Sequence, residues 1–189
     1  MSEPRFPILK PEELTERQAE VAAMIADGPR GGIRGPFLAL IHQPELADSL
    51  QRVGEHLRYG SVLPKSLTEL AVLIVARRWS CQYEWFAHAR IARTTTDLPE
   101  AVIVAISEGK IPSEMTDEQD TVYHFVKEVL ANGEPADPTY DRAARHFGRA
   151  GVLDLIGLTG YYSTIAMVLN TSRVPLPDGA TPPLAPLAN

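Results

Sequence analysis

The chain has one cysteine, Cys81, among 189 residues. A lone cysteine closes no intrachain disulfide, forms no CxxC redox pair and cannot supply the thiolates of a structural zinc site or an iron–sulfur cluster. The disulfide-rich secreted class is excluded. Basic residues are also scarce: 18 Lys and Arg against 24 Asp and Glu leave a net charge of −6. That balance argues against a general grip on phosphate backbones and leaves room only for local basic patches, so no nucleic-acid partner is expected. Long apolar runs are missing as well. The longest near the centre, Leu70–Ala76, falls far short of the roughly 18 residues that span a bilayer. The opening MSEPRFPILKPEEL has no basic stretch followed by an apolar core and no small-residue cleavage site. A cytoplasmic protein without a membrane partner is the expectation.

What is present is a helical pattern. At 44% hydrophobic the chain is long enough, at roughly 150 residues per domain, to bury one substantial core. Apolar residues recur at helical spacing almost throughout, and no convincing alternating strand is found. Thr15 with Gln18, Ser66 with Glu69 and Thr116 with Gln119 each fit the S/T-x-x-E/Q capping box that opens a helix. The pattern predicts an all-α protein with helices at about 15–27, 36–42, 44–59, 66–79, 80–94, 98–109, 116–132, 138–148 and 151–171. After Thr171 it stops. Pro175, Pro177, Pro182, Pro183 and Pro186 forbid a helix, so a single domain over 1–173 is followed by a proline-rich arm over 174–189, extended on a neighbouring surface or disordered.

Helix 66–79 contains LAVLIVA, apolar on every side, and is the predicted central helix. The segment after it, SCQYEWFAHARIA, carries the chemistry. At about 100° per residue, Cys81, Glu84, Trp85, His88 and Ala92 fall within one stripe, opposite Gln82, Arg90 and Arg93. The stripe should be buried, so a carboxylate and an imidazole point inward. An unpaired buried charge costs several kcal/mol, and Glu84 and His88, four residues apart, are within reach of each other. Two readings stand open: a structural pair, or an acid/base dyad in a pocket walled by Trp85 and Tyr83. Cys81 reads either as a small buried hydrophobe or as a thiol whose reactivity follows the state of that pair. Glu69 has a simpler reading as the partner of Ser66 in the capping box.

The spacing Glu69, Cys81, Glu84, His88 resembles the E-x11-C-x2-C-x3-H signature of the alkyl hydroperoxidase D-like proteins of the carboxymuconolactone decarboxylase family. Tyr83 lies between the two signature positions, and the YEWxxH variant is the most specific part of a likeness covering roughly residues 36–172. The resemblance implies an all-α bundle around a helical hairpin, assembled as trimers or hexamers, with Glu69, Cys81 and His88 as site residues. The second cysteine is replaced by Glu84. The dithiol cycle of the peroxidase members is thereby lost, and a one-cysteine cycle would need an external thiol. The decarboxylase members need no redox cysteine, and the resemblance to them implies proton chemistry on a small lactone acid.

Other candidates carry less. His42, at the end of a short helix, is placed near the pocket mouth by the resemblance, and by its position it is favoured by the helix dipole. His56, His124 and His146 have no partner at metal-ligand spacing; only Glu84 and His88 have the spacing of two ligands on one helix, and no metal or other cofactor is expected. In the last helix Gly157 and Gly160 should permit close helix contact, while Tyr161, Tyr162 and Asn170 either pack or turn polar tips to the pocket. The loop Gly28–Pro36, carrying Arg30 and Arg34, reads as a plain connection or as a cradle for an anion.

Three functions follow as expectations. The first is an acid/base lyase, decarboxylase or isomerase acting on a small organic acid, lactone or carbonyl compound, with His88 as proton shuttle, Glu84 orienting it, and Cys81, Tyr83 and Trp85 shaping the pocket. The second is a thiol-dependent peroxidase using Cys81 alone. The third is a non-catalytic oligomeric binding protein, in which Glu84 and His88 form an interface salt bridge; it would be favoured by finding both sealed from any cavity.

Overall fold

A computed structural model describes residues 3–177 and 179–187. Among these the regular structure is helical: α1 Glu16–Asp27, α2 Phe37–Leu40, α3 Pro44–Glu55, a π-helical turn His56–Gly60, α4 Lys65–Arg78, α5 Gln82–Thr95, α6 Glu100–Ser107, α7 Asp117–Asn132 and α8 Asp137–Ser172, preceded by a single 3-10 turn at Pro11–Glu13.

Two of the three capping boxes form. Thr15 N–H donates to Gln18 Oε1 at 2.9 Å and Thr116 N–H donates to Gln119 Oε1 at 3.0 Å, with each threonine hydroxyl accepting in return. The third does not. α4 starts one residue early because Pro64, extended at ψ 144°, takes the N-cap position and leaves Ser66 inside the first turn. Glu69 is thereby released from the helix end and faces the interior.

α4 is the axis of the molecule. Every residue from Leu67 to Arg77 is buried, and the helix packs against α5, α7 and α8. The α4–α5 hairpin closes through Trp79, Ser80 and Cys81. Ser80 takes a left-handed conformation at φ 46°, and Cys81 N–H donates to Ala76 O at 2.9 Å, so Cys81 becomes the N-cap of α5 rather than a residue within it. The expected stripe is intact: Cys81, Glu84, Trp85, His88 and Ala92 are all buried.

The two helices expected at 138–148 and 151–171 are both present and follow one another directly within α8, separated by a kink at Gly148, which is non-helical at φ 63° and ψ −178°. Leu155, Leu158, Ile165, Ala166 and Leu169 bury its inner face. α8 is long and apolar enough to cross a membrane by composition, but that composition is here spent on packing, with over half of its most apolar window buried. Its outer face exposes Leu153, Ile156 and Met167. Gly157 does permit the close contact expected of it, since a Cβ there would lie 3.0 Å from Leu57 Cδ2, whereas Gly160 faces open space.

The proline-rich arm is held at one point. The Gln82 amide donates to Leu184 O and accepts from Leu184 N–H, both at 2.9 Å, and the Leu184 side chain is buried. At the other end of the chain, Arg5 N–H donates to Ser172 O at 2.9 Å, which ties the N-terminal segment to the end of α8.

Candidate active site

A cavity of about 410 Å³ opens between the Gly28–Pro36 loop, the π-helical turn, α5 and α8. Glu84 and His88 line it from α5, Tyr161 and Tyr162 from α8, and Tyr83 from the start of α5.

His88 is paired, but not with Glu84. Its Nδ1 lies 2.7 Å from Glu69 Oε2, a contact between neighbouring helices with both side chains buried. This corrects the expectation of an i,i+4 dyad within one helix, and its cause is the failed capping box that freed Glu69. A carboxylate only accepts, so Nδ1–H donates and the lone pair of the neutral ring sits on Nε2. The Tyr162 ring meets the imidazole edge-on at 5.0 Å and fixes its plane from the other side. The result is an oriented imidazole with one nitrogen held by a carboxylate and the other free on the cavity wall.

Glu84 is something different. It is 2% exposed, and neither carboxyl oxygen has a hydrogen-bond partner. Burial alone pushes its carboxyl well above the usual carboxylate range, which favours the protonated, neutral acid. A neutral carboxylic acid is a hydrogen-bond and proton donor.

Cys81 stands off the cavity. It is fully buried and forms no part of the wall, and burial together with the neighbouring Glu84 pushes its thiol up to about 12. Trp85 and His42 are also displaced from their expected places. Trp85 faces the core at 2% exposure and borders a shallow groove beside Pro183. His42 Nε2 lies 2.9 Å from Pro7 O and its ring packs on Phe6, so it ties down the N-terminal segment rather than marking a pocket mouth. Tyr83 does reach the cavity. It packs so closely on Gly35, which is left-handed at φ 57°, that a Cβ there would come within 2.9 Å of the ring. Burial raises the phenols of Tyr83, Tyr161 and Tyr162 above their ordinary range, so all three remain neutral donors. Asn170 points away, its amide donating to Trp79 O at 3.0 Å.

The residues that sequence reasoning missed are Arg58 and Arg90, which join the two arginines of the loop weighed above as an anion cradle. Arg30 and Arg34 come from the glycine-rich loop, Arg58 from the π-helical turn and Arg90 from the rim of α5, and all four line the cavity. The loop signal was available, since both of its arginines stand out in the sequence. Nothing in the spacing of Arg58 announces a site. No cluster of three or more His, Cys, Asp or Glu suited to a metal ion occurs among the described residues.

No protein-family model matches the sequence, and no curated protein is similar to it. Solved structures are similar in fold. An uncharacterized peroxidase-related protein from Ralstonia eutropha JMP134, with an alkylhydroperoxidase AhpD core, superimposes with a TM-score of 0.76 at 18% identity over 93% of each chain. An uncharacterized peroxidase-related protein from Silicibacter sp. TM1040 gives 0.73 at 16% identity, covering 94% of this chain and 96% of that one. A protein of unknown function from Agrobacterium tumefaciens gives 0.64 at 16% identity, covering 73% and 94%. The class is thus an all-α, alkyl hydroperoxidase D-like fold, as the motif around Glu69, Cys81 and His88 implied. The likeness in fold extends beyond residues 36–172, where the motif-based resemblance ended.

Proposed function

We propose that the protein is an acid/base enzyme, a lyase, decarboxylase or isomerase that moves a proton at carbon in a small organic acid, lactone or carbonyl compound. The observation that carries this reading is the Glu69–His88 pair on the wall of a cavity large enough for a small molecule. His88 Nε2 takes a proton from carbon next to a carbonyl, the electron pair of the broken C–H bond moves onto the carbonyl oxygen, and Glu69 stabilises the imidazolium that forms. Glu84, as a neutral acid, donates a hydrogen bond to the developing oxyanion. Return of the proton from Nε2 to another carbon completes an isomerisation.

The chemistry of Cys81 supports this choice over a thiol peroxidase. Burial pushes its thiol far above the neutral range, which disfavours the nucleophilic thiolate, and Cys81 is not among the residues that line the cavity. Closure of Glu84 and His88 from any cavity would have favoured the non-catalytic reading, and both line one.

The test is solvent exchange. In D2O, with a panel of small carboxylic acids, lactones and ketones, the wild-type protein is expected to place deuterium at carbon in at least one compound, followed by NMR. His88→Ala should lower that rate by about 10²–10⁴-fold and Glu69→Gln by about 10²-fold, with the helical circular dichroism unchanged. Exchange that persists at the wild-type rate in His88→Ala would rule the proposal out.

A further inference from the structure

The chain carries more negative than positive charge, and several of its arginines are spent in ion pairs, Arg17 with Glu20 and Glu45, Arg52 with Asp48, Arg93 with Glu100, Arg142 with Asp117 and Asp120, while others such as Arg78, Arg145 and Arg149 stand exposed to solvent. The cavity instead gathers four arginines around one space. Arg30, Arg34, Arg58 and Arg90 all line it, and none has a carboxylate partner among the described residues. Glu69 is engaged by His88, and Glu84, the one carboxyl in the cavity wall, makes no hydrogen bond to any of the four among the described residues and is driven toward its neutral form by burial.

Arg30 is the best-placed of the four. Its guanidinium lies 4.9 Å from the centre of the Phe37 ring, and its Nη2–H donates to Tyr161 Oη at 3.3 Å, but its Nε–H is buried with no acceptor. Tyr161 accepts that bond, and its own hydroxyl hydrogen has no acceptor among the described residues. Two donors therefore stand side by side without partners, a costly arrangement in a folded protein unless something else supplies the acceptor.

The backbone has been cut away to seat them. Gly54 of α3 lies directly beneath: a Cβ there would come within 2.2 Å of Tyr161 Oη and 2.3 Å of Arg30 Nη2. Any side chain at position 54 would displace the pair, so this glycine is the floor on which the two donors rest.

We infer that Arg30 and Tyr161, on the floor of Gly54, form a carboxylate-binding subsite that makes an organic-acid anion, rather than a neutral lactone or ketone, the substrate of this cavity. The two carboxylate oxygens accept from the Arg30 guanidinium where it lines the cavity and from the Tyr161 hydroxyl, while Arg34 and Arg58 add positive field around them. The carbon skeleton then extends across the cavity toward His88. The inference deepens the proposed function and rests on it only for what happens at His88; the subsite stands or falls by binding.

Isothermal titration of the full chain tests it, with benzoate, benzamide and inorganic phosphate as probes. Benzoate should bind saturably at one site, and benzamide, which has nearly the same shape without the charge, at least about tenfold more weakly. Arg30→Gln and Gly54→Ala should each weaken benzoate by about tenfold or more, the second without removing any polar group from the subsite. Thr116→Ala, on α7 away from the cavity, should bind benzoate as the wild type does. Equal affinity for benzoate and benzamide, benzoate binding indifferent to Arg30→Gln, saturable binding of phosphate but not benzoate, or no saturable binding of benzoate each overturns the subsite. Arg30-dependent binding together with unimpaired turnover in His88→Ala would leave the subsite standing and remove the proton-transfer reading instead.

Discussion

Glu84 and Glu69 are both carboxyl groups buried within one turn or one helix of His88, yet their roles diverge because their surroundings do. Glu69 has an imidazole donor at 2.7 Å, while Glu84 has no donor at all and is driven toward its protonated form by burial. Stability should report this. In the unfolded chain Glu84 loses its proton around its ordinary value of 4.5, whereas the folded protein retains it to much higher pH. The folded state binds the extra proton, so stability is fully present below about pH 4.5 and falls as pH rises through the window up to the folded-state pKa, by at most about 1.4 kcal/mol per pH unit. Glu84→Gln removes this dependence. Urea denaturation should show the variant gaining on the wild type as pH rises from 5 to 8 and matching it closely at pH 4; a constant difference across that range would mean Glu84 is ionised in the fold. At this scale the sequence was half legible. Period alone put Cys81, Glu84, Trp85, His88 and Ala92 inside. It could not pair them, because the partner of His88 comes from another helix, and i,i+4 spacing offers only the partner on the same one.

At the scale of elements, capping chemistry read well where no proline intervened. Thr15 and Thr116 open α1 and α7 as their S/T-x-x-Q pattern requires, and α7 ends at left-handed Gly133. Pro64 overrode the same signal at Ser66 and thereby turned Glu69 from a cap into a site residue. Thr116→Ala should cost about 1 kcal/mol, seen as a fall of roughly 2–4 °C in Tm by calorimetry, with no change in benzoate affinity because α7 contributes nothing to the cavity. A Tm unchanged within error would mean that the box does not hold α7 in solution. The break expected between residues 148 and 151 exists as the single residue Gly148 rather than as a loop, since the helical spacing resumes at once on its far side. Likewise the last turn of the helix expected at 44–59 is present but widened into a π-helical turn at His56–Gly60, from which Arg58 reaches the cavity.

For the whole molecule, the fold was legible and the cavity was not. An all-α bundle around the α4–α5 hairpin follows from period and motif, and the solved structures with TM-scores of 0.64–0.76 share it. The cavity is assembled from a loop, a turn and two helices far apart in the sequence, and its arginines carry no local pattern that would join Arg30 to Arg58 or either to Tyr161. The arm behaves in the same way: its prolines announce an extended segment, but only the fold shows that Gln82 captures Leu184. The loss of the second cysteine remains the sequence feature of greatest consequence, and the structure gives it a physical reason, since Glu84 in that position faces the cavity while Cys81 does not. The central claim is that this cavity works by proton transfer at His88 and not by thiol chemistry at Cys81. It is tested most directly by comparing Cys81→Ser with His88→Ala in the deuterium-exchange assay on the same organic acid: the account predicts Cys81→Ser within about twofold of wild type and His88→Ala down by about 10²-fold or more, and the reverse order would contradict it.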